Sequence, residues 1–269
     1  MKKYFEYIGL LTFALCSFYY TNKVTKIMNA KDPVMIEIKK YNEKNKTNCK
    51  EGYIKNNEVV LGSSGKEVNI EMSYSNMQGK EFDESKLVFN ELTCKINVES
   101  AKDNYIIKGN ESKNMVSLLI KVNDTSLLNE ILEIGKQSNI SLGIITDGNI
   151  LEKNKEYFEK VLKSGNYLVN DGNNFNTYYN FMNEVKMNKY CIETSSNDNL
   201  SDCKKGKAIL LRSNYIYRSN ILLNVKTDLE KGKFYVLSEN NITLKELNAL
   251  IKVINAKGIR IVTLDELFN

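Results

Sequence analysis

The chain has 269 residues, 42% apolar and 26% charged, a balance that gives room for one large domain or two smaller ones and excludes wholesale disorder and a multi-span membrane protein. Thirty-eight Lys and Arg against 33 Asp and Glu leave a net charge of +5. The basic residues are scattered rather than gathered into a stripe, so no nucleic-acid partner is expected.

After Lys2 and Lys3 the chain runs from Tyr4 to Tyr20 with one charge, Glu6. As a helix this stretch would be roughly 25 Å long, the short end of a membrane span. Tyr4, Phe5 and Tyr7 bracket it on one side and Phe18, Tyr19 and Tyr20 on the other, as interfacial belts do. No small-residue cleavage pattern follows it, and Leu15 stands where a lipoprotein signal needs a small residue before Cys16. The expectation is an uncleaved, single-pass anchor within residues 1–29, at the cell membrane, with the remainder of the chain extracellular.

Beyond the anchor, Asp32-Pro33 predicts a helix start, with Val34, Met35 and Ile38 as its apolar stripe. Gly52 to Gly62 predicts a hairpin of Tyr53-Ile54 and Val59-Val60 about Asn56-Asn57. Gly65 to Met77 and Asp83 to Leu92 read as helices, and Cys94 to Val98 and Tyr105 to Lys108 as strands. Residues 30–112 are thus expected to form a small α+β unit. From Met115 apolar runs alternate with amphipathic stretches: strands at 116–122, 141–146, 167–169, 190–192, 208–211, 234–237 and 259–262, helices at 126–136, 149–163, 175–185, 223–231 and 243–256. Strands spaced by helices of this length imply βα units around a parallel sheet.

Four cysteines follow the anchor: Cys49, Cys94, Cys191 and Cys203. With no Cys-x-x-Cys pair and no histidine anywhere, a structural zinc site of usual spacing is not expected. An even number in an exported domain is compatible with two disulfides. Of the three possible pairings, Cys49 with Cys94 and Cys191 with Cys203 is preferred because each pair lies within one unit; four buried thiols are the alternative.

Particular residues of the second region resemble the polysaccharide deacetylase family (NodB homology, carbohydrate esterase family 4). Ile131 to Ile134, Ser141 to Ile145, Asp147-Gly148-Asn149 and Glu152-Lys153-Asn154 resemble the helix, strand and helix after that family's first motif. Gly165-Asn166-Tyr167-Leu168-Val169-Asn170-Asp171 resembles its Gly-His-Glu-Ile-Gly-Asn-His. Leu247 to Ile254 and Lys257 to Leu267 resemble its closing helix and strand. The resemblance implies a 113–269 domain forming a distorted (β/α) barrel of NodB type, so the expected α/β architecture is that barrel, a small N-terminal α+β unit and one transmembrane helix.

It also implies a de-N-acetylase using a divalent metal held by one Asp and two His, with an Asp as base and a late His as acid. On those motifs Lys121 falls at the base, Val122 and Asp171 at metal ligands, Phe175 at the second His and Ser238 at the catalytic acid. A register shifted by two offers Asn123-Asp124-Thr125 instead, and Asp124, Asp171 and Glu239 form the one conceivable oxygen-ligand set. Lys121 is expected to stand beside Asp171 and pair with it. No catalytic residue, metal or cofactor is therefore assigned. The expected role is a catalytically inactive envelope module binding a cell-wall glycan or an envelope protein, held at the membrane by its N-terminal helix. A divergent de-N-acetylase of cell-wall amino sugars is the alternative.

Overall fold

The computed structural model describes residues 2–195 and 198–269, without the side chains of residues 2–10, 22, 25 and 26. It contains two compact units, one of Met1–Asn48 with Gly65–Leu92, the other of Cys49–Ser64 with Thr93–Asn269. In chain order, α1 (Lys2–Ala30) precedes α2 (Pro33–Asn45). Asp32 caps α2, its Oδ1 accepting from Val34 N–H at 2.9 Å ahead of a first-turn proline, which satisfies a donor the helix leaves open. The hairpin β1 (Tyr53–Lys55) and β2 (Glu58–Val60) follows. Asn56 and Asn57 at its turn both take positive φ, the turn whose twist matches the flanking strands.

Next come β3 (Gly65–Val68), α3 (Ile70–Met77) and β4 (Phe89–Leu92). The expected helices over 65–77 and 83–92 are corrected here. The first begins with a strand, and the second is a 3-10 turn at Glu84–Lys86 followed by β4, which pairs antiparallel with β3. Segments of four residues are too short to show a period; cross-strand neighbours decide them, Lys66 Nζ lying 3.9 Å from the Phe89 ring centre. In the same unit Val34, Met35, Ile38, Val68, Tyr74 and Met77 pack into a core. The expected strand at Cys94 to Val98 is a loop.

The larger unit continues with β5 (Tyr105–Lys108), β6 (Met115–Lys121), α4 (Leu128–Gln137), β7 (Gly143–Thr146), α5 (Gly148–Lys153), α6 (Lys155–Lys163), β8 (Tyr167–Asn170) and α7 (Phe175–Glu184). It ends with β9 (Tyr190–Glu193), α8 (Ser201–Lys205), β10 (Ile209–Arg212), β11 (Ile216–Tyr217), α9 (Ile221–Thr227), β12 (Phe234–Ser238), α10 (Asn241–Ala256), β13 (Arg260–Ile261) and α11 (Leu264–Phe268). The sheet order is β1-β2-β5-β10-β9-β8-β7-β6-β12-β11, with β13 also on β6. Every pairing but that of β1 with β2 is parallel.

Alternation along each strand creates two cores. Val116, Leu118, Ile120, Ile144, Leu168, Leu210 and Leu237 face the helices, while Met115, Leu119, Ile145, Val169, Ile192 and Val236 fill the concave side of the sheet. Gly143 lies where a Cβ would stand 2.3 Å from Leu119 Cδ2 and 2.6 Å from Tyr167 Cε2, so the interior packing requires glycine there.

One expectation changes. The boundary between residues 112 and 113 is not where the compact units divide, because β1, β2 and β5 are hydrogen-bonded into the large sheet. The expected distorted barrel takes the form of a curled sheet left open: among the described residues no strand pairing joins its two ends. The end of β5 and the segment before β12 touch through single contacts, Gly109 N–H donating to Gly232 O at 2.8 Å and Lys108 to Glu230 at 2.7 Å. The expected anchor, Tyr4 to Tyr20, falls partly on residues whose side chains lie outside those described. Among the described residues no helix is long and apolar enough to cross a membrane.

Both expected disulfides are present, Cys49–Cys94 and Cys191–Cys203. The second pair is fully buried in the sheet-to-helix core.

Candidate functional site

Parallel strands deliver their last residues to one end of the sheet, and that mouth is where side chains of different strands converge. Lys121 ends β6 and is paired in register with Ser238, the last residue of β12. Asp147 and Asp171 follow directly after β7 and β8, and Thr194 after β9. Lys121 continues the inward-facing row of Leu119, and its Nζ donates to Thr194 Oγ1 at 3.0 Å. Thr194 Oγ1 in turn donates to Asp198 Oδ2 at 3.1 Å, an oxygen that also accepts Thr194 N–H at 2.7 Å and Ser195 N–H at 3.0 Å. The ammonium is thus tied to a carboxylate through one hydroxyl.

The expected ion pair of Lys121 with Asp171 is not formed within 4 Å. Lys121 acts on Asp171 only through its field. Burial pushes the Asp171 carboxyl above its ordinary value of 3.8. Hydrogen bonding from Asn173 and the charge of Lys121 oppose the rise, while Asp147 adds to it.

A folded-state pKa above the unfolded one means that Asp171 favours folding below about its ordinary value. That contribution is lost as pH rises through the elevated folded value. Asp171→Asn, which keeps an acceptor for Asn173 N–H, is therefore expected to raise stability at pH 7 by about 0.5–1 kcal/mol. The gain should shrink toward zero below pH 4; equal gains at both pH values in thermal melts would show that the carboxyl is not strained.

Ser238, buried, accepts from Thr243 Oγ1 through its carbonyl at 2.5 Å, holding the start of α10. Two other positions do not reach the mouth. Val122 lies one residue beyond Lys121, so the period of two turns it into the core against the helices, where Phe175 also packs. Of the five positions, Lys121, Asp171 and Ser238 belong to the mouth and Val122 and Phe175 to the core.

The conceivable oxygen-ligand set is not assembled either. Asp124 Oδ1 accepts from Ser126 N–H at 2.9 Å. The Glu239 carboxylate, which sequence reasoning left without a structural role, accepts from the backbone N–H groups of Asn123, Asp124, Thr125 and Leu127 at 2.9–3.4 Å. Among the described residues the one cluster of three metal-ligating types is Cys49, Glu51 and Cys94, whose sulfurs are joined in a disulfide. The residues at the mouth, an ammonium, a serine and one carboxylate among the expected positions, do not fit a zinc-like ion, which takes three or four lone-pair donors.

Aspartate also fixes the neighbouring turn. Asp147 Oδ1 accepts from Ile150 N–H at 2.7 Å and caps α5. Gly148 follows because a Cβ there would stand 2.0 Å from Asn174 O. These contacts seat the α5 and α7 starts beside Asp171 without adding a reactive group.

No family model matches the chain. Over 117 residues it is 32% identical to YlxY, an uncharacterized protein of Bacillus subtilis, covering 43% of this chain and 37% of that protein. The match thus spans little more than a third of that relative's length. Among solved structures, BA3943 of Bacillus anthracis, a family 4 carbohydrate esterase pseudoenzyme, matches with a TM-score of 0.67 over 89% of this chain and 96% of its own, at 18% identity. A mutant of that protein with restored enzymatic activity matches with a TM-score of 0.66 over 88% and 98%, at 17% identity. The peptidoglycan N-acetylglucosamine deacetylase Bc1960 matches with a TM-score of 0.53 over 61% and 92%, at 17% identity. At such identities the likeness is one of fold: the large unit has the α/β fold of the family 4 carbohydrate esterases.

Proposed function

We propose that this chain is a non-catalytic, extracellular member of the polysaccharide deacetylase fold, held at the cell membrane and binding cell-wall glycan. The observation that carries the reading is the mouth itself, where the Lys121–Thr194–Asp198 chain occupies the place at which hydrolysis would need metal donors. Two disulfides support an oxidising compartment outside the cytosol. The apolar run from Tyr4 to Tyr20 supports a tether. The glycan as partner, rather than an envelope protein, rests on the peptidoglycan substrate of Bc1960. That BA3943 is a pseudoenzyme whose mutant regains activity supports the idea that this fold persists without catalysis.

Incubating the purified full chain with N-acetylglucosamine oligomers and Zn²⁺, Co²⁺ or Ni²⁺ is expected to release no acetate above a protein-free control, while the chain is retained on isolated cell walls. Metal-dependent acetate release would overturn the non-catalytic reading in favour of a divergent hydrolase.

A further inference from the structure

The open seam of the large sheet holds a cleft of about 540 Å³, within the range of small-molecule sites, about 300–1,000 Å³. One wall comes from β2, β5 and β10, the other from β11 and β12, and Ser213 to Tyr215 carry the chain across between them. Lys121, Asp171 and Ser238 do not line it.

Two features define what the cleft can hold. Tyr53 and Tyr215 line it, 55% and 53% exposed as residues. Tyr215 is kept edge-on by the buried Tyr217, the ring centres 4.6 Å apart. Such rings offer flat apolar faces with polar tips, suited to a ligand having both C–H faces and hydroxyls.

The second feature is charge already cancelled within the walls. Lys108 bonds Glu111 at 2.8 Å and Glu230 at 2.7 Å. Arg212 bonds Glu193 at 2.6 Å and Glu58 at 3.3 Å, and Lys233, the third cation of the lining, reaches Glu230 at 4.0 Å. Tyr217 Oη donates to Asp228 at 2.8 Å. A polyanion would need cations not committed to carboxylates, and breaking these pairs would leave charge uncompensated. Paired carboxylates keep lone pairs that can still accept from hydroxyl groups.

We infer that the seam cleft binds an uncharged oligosaccharide, its rings laid against Tyr53 and Tyr215 and its hydroxyls on the carboxylate rim. This deepens, and rests on, the glycan-binding reading, and moves the binding site from the mouth to the seam. No covalent step is involved.

Titration calorimetry of the full chain with a neutral N-acetylglucosamine hexamer, its fully deacetylated and cationic counterpart, and an inorganic polyphosphate tests it. The neutral hexamer is expected to bind best. Tyr215→Ala and Tyr53→Ala should each weaken it about tenfold, the scale of one lost aromatic contact, and Tyr215→Phe should retain it, with unchanged melting temperatures throughout. Wild-type binding that both alanine variants preserve would remove the cleft as the site while leaving the glycan-binding reading standing. No binding of any saccharide would overturn both. Preference for polyphosphate would overturn the uncharged ligand.

Discussion

Glu239→Ala is expected to destabilise the large unit by about 3 kcal/mol, because it strips the acceptor from several part-buried backbone donors at once, each bond to a charged group being worth about 1.5–3 kcal/mol at most. The carboxylate is itself buried. Its closest bonds, to Asn123 N–H at 2.9 Å and Leu127 N–H at 3.0 Å, span the loop between β6 and α4. The Asn123 side chain adds a bond back to Glu239 O at 3.2 Å. No side chain of the loop itself caps α4, so the glutamate of a distant strand end supplies what a local cap would. A carboxylate at a helix start also meets the positive end of its dipole. Glu239→Gln keeps one acceptor but turns an amide donor toward N–H groups, so its loss should fall between those of wild type and Ala. Denaturant midpoints for the two variants, with slopes confirming two-state unfolding, decide the matter. A loss below 1 kcal/mol for Ala would mean that water replaces the carboxylate without penalty.

That role explains what could and could not be read from residues in order. The strands from Met115 onward were legible because both faces of each are buried, so they are written as unbroken apolar runs, whereas the one helix expected over 149–163 is two, α5 and α6, and that expected over 223–231 is α9, which ends at Thr227. The placement of β1, β2 and β5 was not legible. Tyr53 to Lys55 is exposed throughout, and nothing in three residues says which sheet will extend them. The two-residue β11 and five-residue α8 fall below any period. At the site, the family motif pointed to Lys121, Asp171 and Ser238, and strand alternation alone would have turned Val122 away from Lys121. Thr194 and Asp198 carry no motif; they reach Lys121 although β9 lies three strands from β6 in the sheet order. Glu239 was visible only as a carboxylate, since its partners are backbone amides from residues more than a hundred positions away.

The other large effect belongs to Cys49–Cys94. Its closed loop has a sequence separation of 45 residues against 12 for Cys191–Cys203. In the chain-entropy picture the longer loop constrains the unfolded state more, by about 4 kcal/mol against about 3. Replacing both Cys49 and Cys94 by Ser is thus expected to lower stability by about 4 kcal/mol. The loop it closes contains the whole β1–β2 hairpin, whose β2 pairs with β5. That edge also holds one wall of the seam cleft. Reductant should therefore loosen the β1–β2 edge before the β6–β9 centre, where strands are buried on both faces and Cys191 and Cys203 are enclosed by other side chains. Hydrogen exchange of the full chain with and without reductant reads this directly. Faster exchange at Tyr53 to Val60 with Leu118 to Ile120 unchanged is the expected pattern. Equal exchange in both states, or free thiols at Cys49 and Cys94 in non-reducing peptide mapping, would show that this bond does not hold the edge.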